Sequence, residues 1–306
     1  KILATIGIMA YFADKFVSCA SILANYLKWP PILAGTILIG FTTTLPELIV
    51  SIIAIKNNHI DLALGNAFGS YIANIGLVIG TCAIIQPIII ENSILKKELP
   101  LLTSTLIITL MLLLDQKLNL VDSILLLTTL GIAGFLIFKN TKPIKLVKTT
   151  KVNMATTISM FIISFIMILI LSDYLITNSI IIAKLLHVSE LTIGLTIVAI
   201  GTSIPELATS ISCVIKKQNS MAIGNIIGSN ILVLLFVVAL PGIFSNNHIS
   251  SVLIWRDSIM MIIITMVFWI FIYNGKDKII ISRIEGIVLL TMFICYMLLV
   301  TMVPSL

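Results

Sequence analysis

Long, nearly unbroken runs of apolar residues alternate with short polar connections along the whole chain. Ten such runs lie at about 2–27, 32–55, 60–88, 99–114, 121–138, 154–183, 191–215, 221–245, 250–273 and 280–302. A run of roughly 17–25 apolar residues crosses the ~30 Å hydrocarbon core of a bilayer as an α-helix. The pattern therefore predicts an all-α polytopic membrane protein with ten transmembrane helices, the short fourth and fifth being marginal for a crossing. A membrane β-barrel would need segments that alternate apolar and polar, and these Leu- and Ile-rich blocks do not.

Composition agrees, with 59% hydrophobic and 10% charged residues against about 25% charged in an ordinary soluble domain. The net charge of +6 has no polar domain to carry a nucleic-acid site, so no nucleic-acid partner is expected; lipid is. The charge reads instead as a topology signal. Lys28, Lys96, Lys97, Lys139, Lys142, Lys145, Lys148, Lys151, Lys216, Lys217, Lys276, Lys278 and Arg283 all fall in or beside odd-numbered connections. The positive-inside bias then puts those connections in the cytoplasm and both termini outside. The longest polar connection, 139–153, reads as a basic cytoplasmic linker between two halves, 1–138 and 154–306. Asp14-Lys15 inside the first run argues against a cleavable signal peptide. Cys19, Cys82, Cys213 and Cys295 lie singly in apolar runs and read as small buried hydrophobes. His59, His187 and His248 stand singly near run boundaries. Trp29, Trp255 and Trp269 read as interface anchors.

The halves repeat each other. Thr42-Thr43-Thr44-Leu45-Pro46-Glu47 returns 159 positions later as Gly201-Thr202-Ser203-Ile204-Pro205-Glu206. At the same offset, Gly65-Asn66-x-x-Gly69-Ser70 matches Gly224-Asn225-x-x-Gly228-Ser229, Asp14 matches Asp173, and Gly35 matches Gly194. A constant register over this distance predicts two copies of one folding unit. Five spans per unit is an odd number, so the second copy enters the membrane from the opposite side, and the repeats are inverted.

This two-fold brings spans 2, 3, 7 and 8 together near mid-membrane. Pro46 and Pro205 predict broken helices in spans 2 and 7. Glu47 and Glu206 are the central candidates, because a carboxylate in a membrane is expensive and these two recur with their surroundings. Thr43, Thr44, Thr202, Ser203, Ser70 and Ser229 add hydroxyl oxygens, although any one hydroxyl could equally be bonded back to its own helix. Asn74, one turn past Ser70, is a further candidate ligand; its repeat mate, Val233, is not. Asn66 and Asn225 are read as bridges between the broken neighbouring helices. The glycines of both motifs read as close helix contacts. Asp14 and Asp173 are placed outside the ion's immediate ligands. Oxygen-only donors suit a hard cation such as calcium or sodium, and the lack of nearby Cys or His argues against zinc or copper. No cofactor is expected, and neither is an enzyme, since no nucleophile–base pair stands out.

The doubled Gly-Thr-Ser-x-Pro-Glu and Gly-Asn-x-x-Gly-Ser motifs, with ten spans in two inverted halves, resemble the cation/calcium exchanger superfamily, and within it most of all the prokaryotic sodium/calcium exchangers. The resemblance implies a secondary antiporter that exchanges calcium for sodium by alternating access. It implies Glu47 and Glu206 as central ligands, joined by Thr43, Thr44, Ser70, Asn74, Thr202, Ser203 and Ser229. It also implies that spans 1 and 6 slide across the other helices. Two positions depart from the family pattern: Thr42 replaces the usual glycine, and Val233 stands where relatives place an aspartate or asparagine. Two acids balance one calcium ion, so fewer coupled sodium ions than the usual three, or partial use of protons, is the expectation. Proton- or potassium-coupled exchange and a channel-like, non-exchanging protein are the alternatives; serines rather than glutamates at 70 and 229 favour sodium over protons. A monomer is expected.

Overall fold

The computed structural model describes residues 2–57, 60–92, 94–140, 153–185, 199–244, 247–273 and 279–302. Most of the basic linker, the opening of the seventh run with Gly194, and His59 and His187 lie outside them. Among the described residues ten helices are numbered in chain order: α1 Ile2–Tyr26, α2 Pro31–Lys56, α3 Ile60–Ile85, α4 Leu99–Leu113, α5 Leu120–Asn140, α6 Met154–Leu185, α7 over 199–215, α8 Asn219–Phe244, α9 Leu253–Tyr273 and α10 Arg283–Met302. They form two inverted five-helix repeats. The short α4 is lengthened by a preceding π-helical turn, Ile94–Glu98, which carries the helical path to 20 residues.

Burial ranks the helices. Windows of α3 and α8 are 78% and 83% buried, whereas those of α5 and α6 are 17%. The Gly-Asn helices are therefore the centre of the bundle, and α5 and α6 face outward. Close contact at the centre follows from missing side chains. A Cβ on Gly224 would lie 2.3 Å from the Ile32 carbonyl oxygen, and one on Gly228 2.6 Å from that of Thr36. Only glycine lets α8 meet the backbone of α2 at this range. Gly65 differs from expectation: the nearest neighbour of an added Cβ would be the Leu253 side chain at 3.9 Å, ordinary contact that demands no glycine.

The repeat extends beyond its motifs. α3 widens into a π-helical stretch at Asn74–Ile79 and α8 at Val233–Val237, starting at matched positions. The turn Ile94–Glu98 has its mate in Leu253–Asp257. Short strands in the connections, which the apolar runs gave no sign of, pair across the repeats. β1 (Ile88–Ile90) runs antiparallel to β4 (Ile279–Ile281), and β2 (Lys117–Leu118) to β3 (Asn247–His248). The first pair joins connections 3 and 9 and the second connections 4 and 8, so each pair links connections of like parity.

α1 lies along α6, with Phe16 stacked on Phe161 at 4.5 Å between centroids. It also meets the end of α7, where Lys216 Nζ is 2.6 Å from Asp14 Oδ1 and donates to Ser18 Oγ at 3.0 Å. Asp14 is thus neutralised away from the motifs, and Asp173 is exposed. Two expectations change. Cys295 is exposed on α10, whose outer side faces the membrane, where a small apolar side chain is at no disadvantage. Trp269 ties two helices together, its indole N–H donating to Thr103 Oγ1 of α4 at 2.7 Å.

Candidate ion site

Each Pro-Glu motif restarts a helix partway along its span. α2 kinks at Thr44 (φ −78°, ψ −6°) and α7 at Ser203 (φ −87°, ψ 2°), matched residues of the two repeats. Both sit in the bridge region between helical and extended backbone. Pro46 and Pro205 then enter the first turn of the segments Leu45–Lys56 and Ile204–Ile215, where a missing N–H forfeits no helical hydrogen bond. Glu47 and Glu206 fall in the same first turns, where a helix N-terminus favours negative charge. The break is one residue wide: Leu48 N–H already bonds the Thr44 carbonyl at 3.1 Å, and Leu207 N–H that of Ser203 at 3.0 Å.

Around the two glutamates the hydrogen bonds cross from repeat to repeat. Thr43 Oγ1 donates to Asn225 Oδ1 at 3.1 Å, and Thr202 Oγ1 to Asn66 Oδ1 at 3.3 Å. Thr43 Oγ1 is 3.4 Å from Ser229 Oγ, and Thr202 Oγ1 3.5 Å from Ser70 Oγ. The far ends of both carboxamides hold their own repeat: Asn66 Nδ2 donates to Ser51 Oγ (3.4 Å) and the Glu47 carbonyl (3.3 Å), Asn225 Nδ2 to Ser210 Oγ (2.8 Å) and Thr209 Oγ1 (3.3 Å). Each asparagine carboxamide thus bonds to both α2 and α7. A threonine hydroxyl has one proton, and once it points at an amide oxygen its lone pairs are available to a cation.

All of these side chains are at most 5% exposed, and Glu47 and Glu206 are at 1% and 0%. Ser70 Oγ donates to Glu47 Oε1 at 3.4 Å. Glu47 Oε2, both carboxylate oxygens of Glu206, Ser203 Oγ and Asn74 Oδ1 have no hydrogen-bond partner among the described residues. Enclosed oxygens left in this condition are costly unless a positive charge joins them. No cluster of three or more His, Cys, Asp or Glu occurs among the described residues, and Glu47 and Glu206 are the two acids they bring to the site.

Two hydroxyls behave otherwise. Thr44 Oγ1 donates to its own helix at the Gly40 carbonyl, 2.7 Å away, rather than across the repeats, and keeps its lone pairs for a cation. Thr42, the departure from the motif, bonds back to the carbonyls of Leu38 (2.7 Å) and Ile39 (2.8 Å) and adds no hydroxyl to the cluster. Four participants carry no mark in the motifs, among them Thr209, whose repeat mate is Val50. Ser51 and Ser210 stand one turn past each glutamate at the repeat offset, a signal that was there to find. Asn230 Oδ1 accepts from Asn74 Nδ2 at 2.8 Å, and repeat symmetry does not point to it, since its mate is Tyr71.

Two inverted repeats that pool their carboxylates in one enclosed, oxygen-lined centre define a secondary active transporter of hard cations. Residues 2–139 and 156–302 match the family described as sodium/calcium exchanger protein, and the chain belongs to that family. It is 33% identical over 273 residues to the inner membrane protein YrbG of Escherichia coli, covering 85% of this chain and 84% of that one. It is 33% identical over 312 residues to the putative antiporter CaxA of Alkalimonas amylolytica, with 96% of both chains covered. Among solved structures, one of the sodium-calcium exchanger NCX_Mj superposes with a TM-score of 0.81 at 28% identity, covering 96% of this chain and 95% of that one. The protein is a secondary active antiporter working by alternating access.

Proposed function

We propose that the antiporter exchanges Ca2+ for Na+ at one shared centre formed by Glu47 and Glu206 with Thr43, Thr44, Ser70, Asn74, Thr202, Ser203 and Ser229. The observation that carries this reading is the pair of enclosed glutamates with three unpartnered carboxylate oxygens between them. Asn66 and Asn225 orient the threonines, and Pro46 and Pro205 set the helix breaks. Both ions meet the same oxygens, so one must leave before the other enters, which is the condition for coupled exchange. Sodium and calcium transport by similar proteins supports the choice of ions.

The same reading assigns residues 1–138 and 154–306 to the two repeats and 139–153 to a cytoplasmic linker, with both termini outside and a prokaryotic cell membrane as location. The lysine-rich odd connections support that orientation. Motion falls to α1 and α6, which pack on each other along the edge of the bundle. Both half-sites come from one chain, so a monomer suffices.

Uptake of calcium-45 into proteoliposomes, with sodium, potassium and proton gradients imposed one at a time, tests the proposal. An outward-directed sodium gradient should drive saturable uptake, and Glu47→Gln or Glu206→Gln should each reduce it at least a hundredfold, the scale of removing one partner of a buried charge at roughly 3–5 kcal/mol. Uptake driven only by the proton or potassium gradient would replace sodium as coupling ion. Ohmic current through the glutamine variants would overturn exchange altogether.

A further inference from the structure

Asn230 is fully buried in α8, and both ends of its carboxamide are engaged. Nδ2 donates to the Tyr71 carbonyl at 3.5 Å, and Oδ1 accepts from Asn74 Nδ2 at 2.8 Å. The second bond decides which way Asn74 faces. A carboxamide has two nearly isosteric orientations, and its hydrogen-bond partners select between them. With the N–H end of Asn74 held by α8, its Oδ1 is left enclosed and without a partner among the described residues. Asn74 stands one turn past Ser70, on the same side of α3, and Ser70 bonds Glu47.

The second repeat reaches this level by another route. Val233, the mate of Asn74, offers no polar atom. Asn230 lies three residues earlier on the same face of α8, and it crosses to the first repeat instead.

We propose that Asn230 is a positioning residue for the ion site: it holds the Asn74 carboxamide with the carbonyl oxygen toward the transported cation and the N–H away from it. The inference rests on the antiporter reading above. Were the amide reversed, its N–H dipole would face the cation, and an attractive contact would become a repulsive one. The carboxamide is thus made into a neutral oxygen ligand by a residue that does not touch the ion.

A double-mutant cycle tests this, read both by equilibrium calcium-45 binding to purified protein in detergent and by sodium-driven uptake in proteoliposomes. In the native background Asn230→Leu removes the acceptor and frees Asn74 to turn. It should weaken Ca2+ binding and raise the KM for Ca2+ roughly tenfold, the scale of one misplaced buried hydrogen-bonding group, with maximal rate unchanged. In an Asn74→Ala background there is no carboxamide to orient, and the same change should leave Ca2+ affinity within about twofold, the mark of two residues acting as one unit. Equal losses in both backgrounds, or a fall in maximal rate at unchanged affinity, would show a packing role and overturn the proposal. A binding cycle that behaves as expected without sodium-driven uptake leaves Asn230 in place and removes sodium exchange. Uptake with an additive cycle does the reverse, and native protein that binds no Ca2+ defeats both.

Discussion

Thr43→Val should be felt on both sides of the molecule, because its hydroxyl proton is the link from α2 to Asn225. The valine leaves an enclosed amide oxygen without a donor, a loss of about 1–3 kcal/mol. Asn225→Leu alone leaves the Thr43 hydroxyl only its longer contacts to the Gly40 carbonyl (3.3 Å) and Ser229 Oγ (3.4 Å) and takes the amide donor from Ser210. The double variant strands fewer groups, so its cost should fall short of the sum, a departure that melting temperatures of the four proteins in detergent will measure. At this scale the sequence was readable where a residue recurs. Glu47 and Glu206, the paired asparagines and the paired hydroxyls all announce themselves at the repeat offset. Ser51 and Ser210 recur too, and their place one turn past each glutamate is what separates them from the ordinary serine of an apolar helix, bonded back to its own carbonyls. Asn230 was beyond reach, since its partner Asn74 is not its repeat mate and only the three-dimensional crossing of α3 and α8 brings them together.

Helices α2 and α8 approach so closely that their contact tolerates no methyl group. Gly228→Ala places a Cβ 2.6 Å from a backbone oxygen that cannot rotate away, and overpacking of this kind costs about 1–3 kcal/mol. A lowered melting temperature should therefore accompany reduced calcium uptake, since Thr36 and the motif at Thr43 share one helix. Gly65→Ala, with no close neighbour, should change neither. The helix count, the repeat and the kinks at the prolines follow from apolar run length and proline chemistry. The π-helical turns do not, because an extra residue per turn leaves no mark in composition. Those at Asn74 and Val233 are placed where bulges are often found, beside a functional site. α1 is held differently. Its pairing of Asp14 with Lys216 leaves the Asp14 side chain 51% exposed, and exposed pairs contribute little, about 0.2–1 kcal/mol. A contact of that strength orients a helix without freezing it.

For the transport cycle as a whole, charge sets the terms. Two carboxylates balance one Ca2+ or two Na+, and a third Na+ would leave a net positive charge in an enclosed centre. Fewer than three sodium ions per calcium is the expected coupling, and reversal potentials measured across imposed sodium and pH gradients will check it; a clear ratio of three would refute it. The inverted architecture was legible from an odd number of spans per repeat, whereas the strand pairs were not, because two or three residues of β-pairing lie below any periodic signal. Those pairs have a consequence of their own. β1 clasps β4 at one set of connections and β2 clasps β3 at another, each time across the repeat boundary, and the threonine–asparagine bonds cross it again. Neither half owns all of the proposed ligands, yet the two grip each other at three levels without calling on the polypeptide between them. Expressed as two separate polypeptides cut within 141–152, the halves should therefore co-purify and bind Ca2+ together, while either half alone retains none; complementation assays with split chains would measure how far covalent continuity matters to this exchanger.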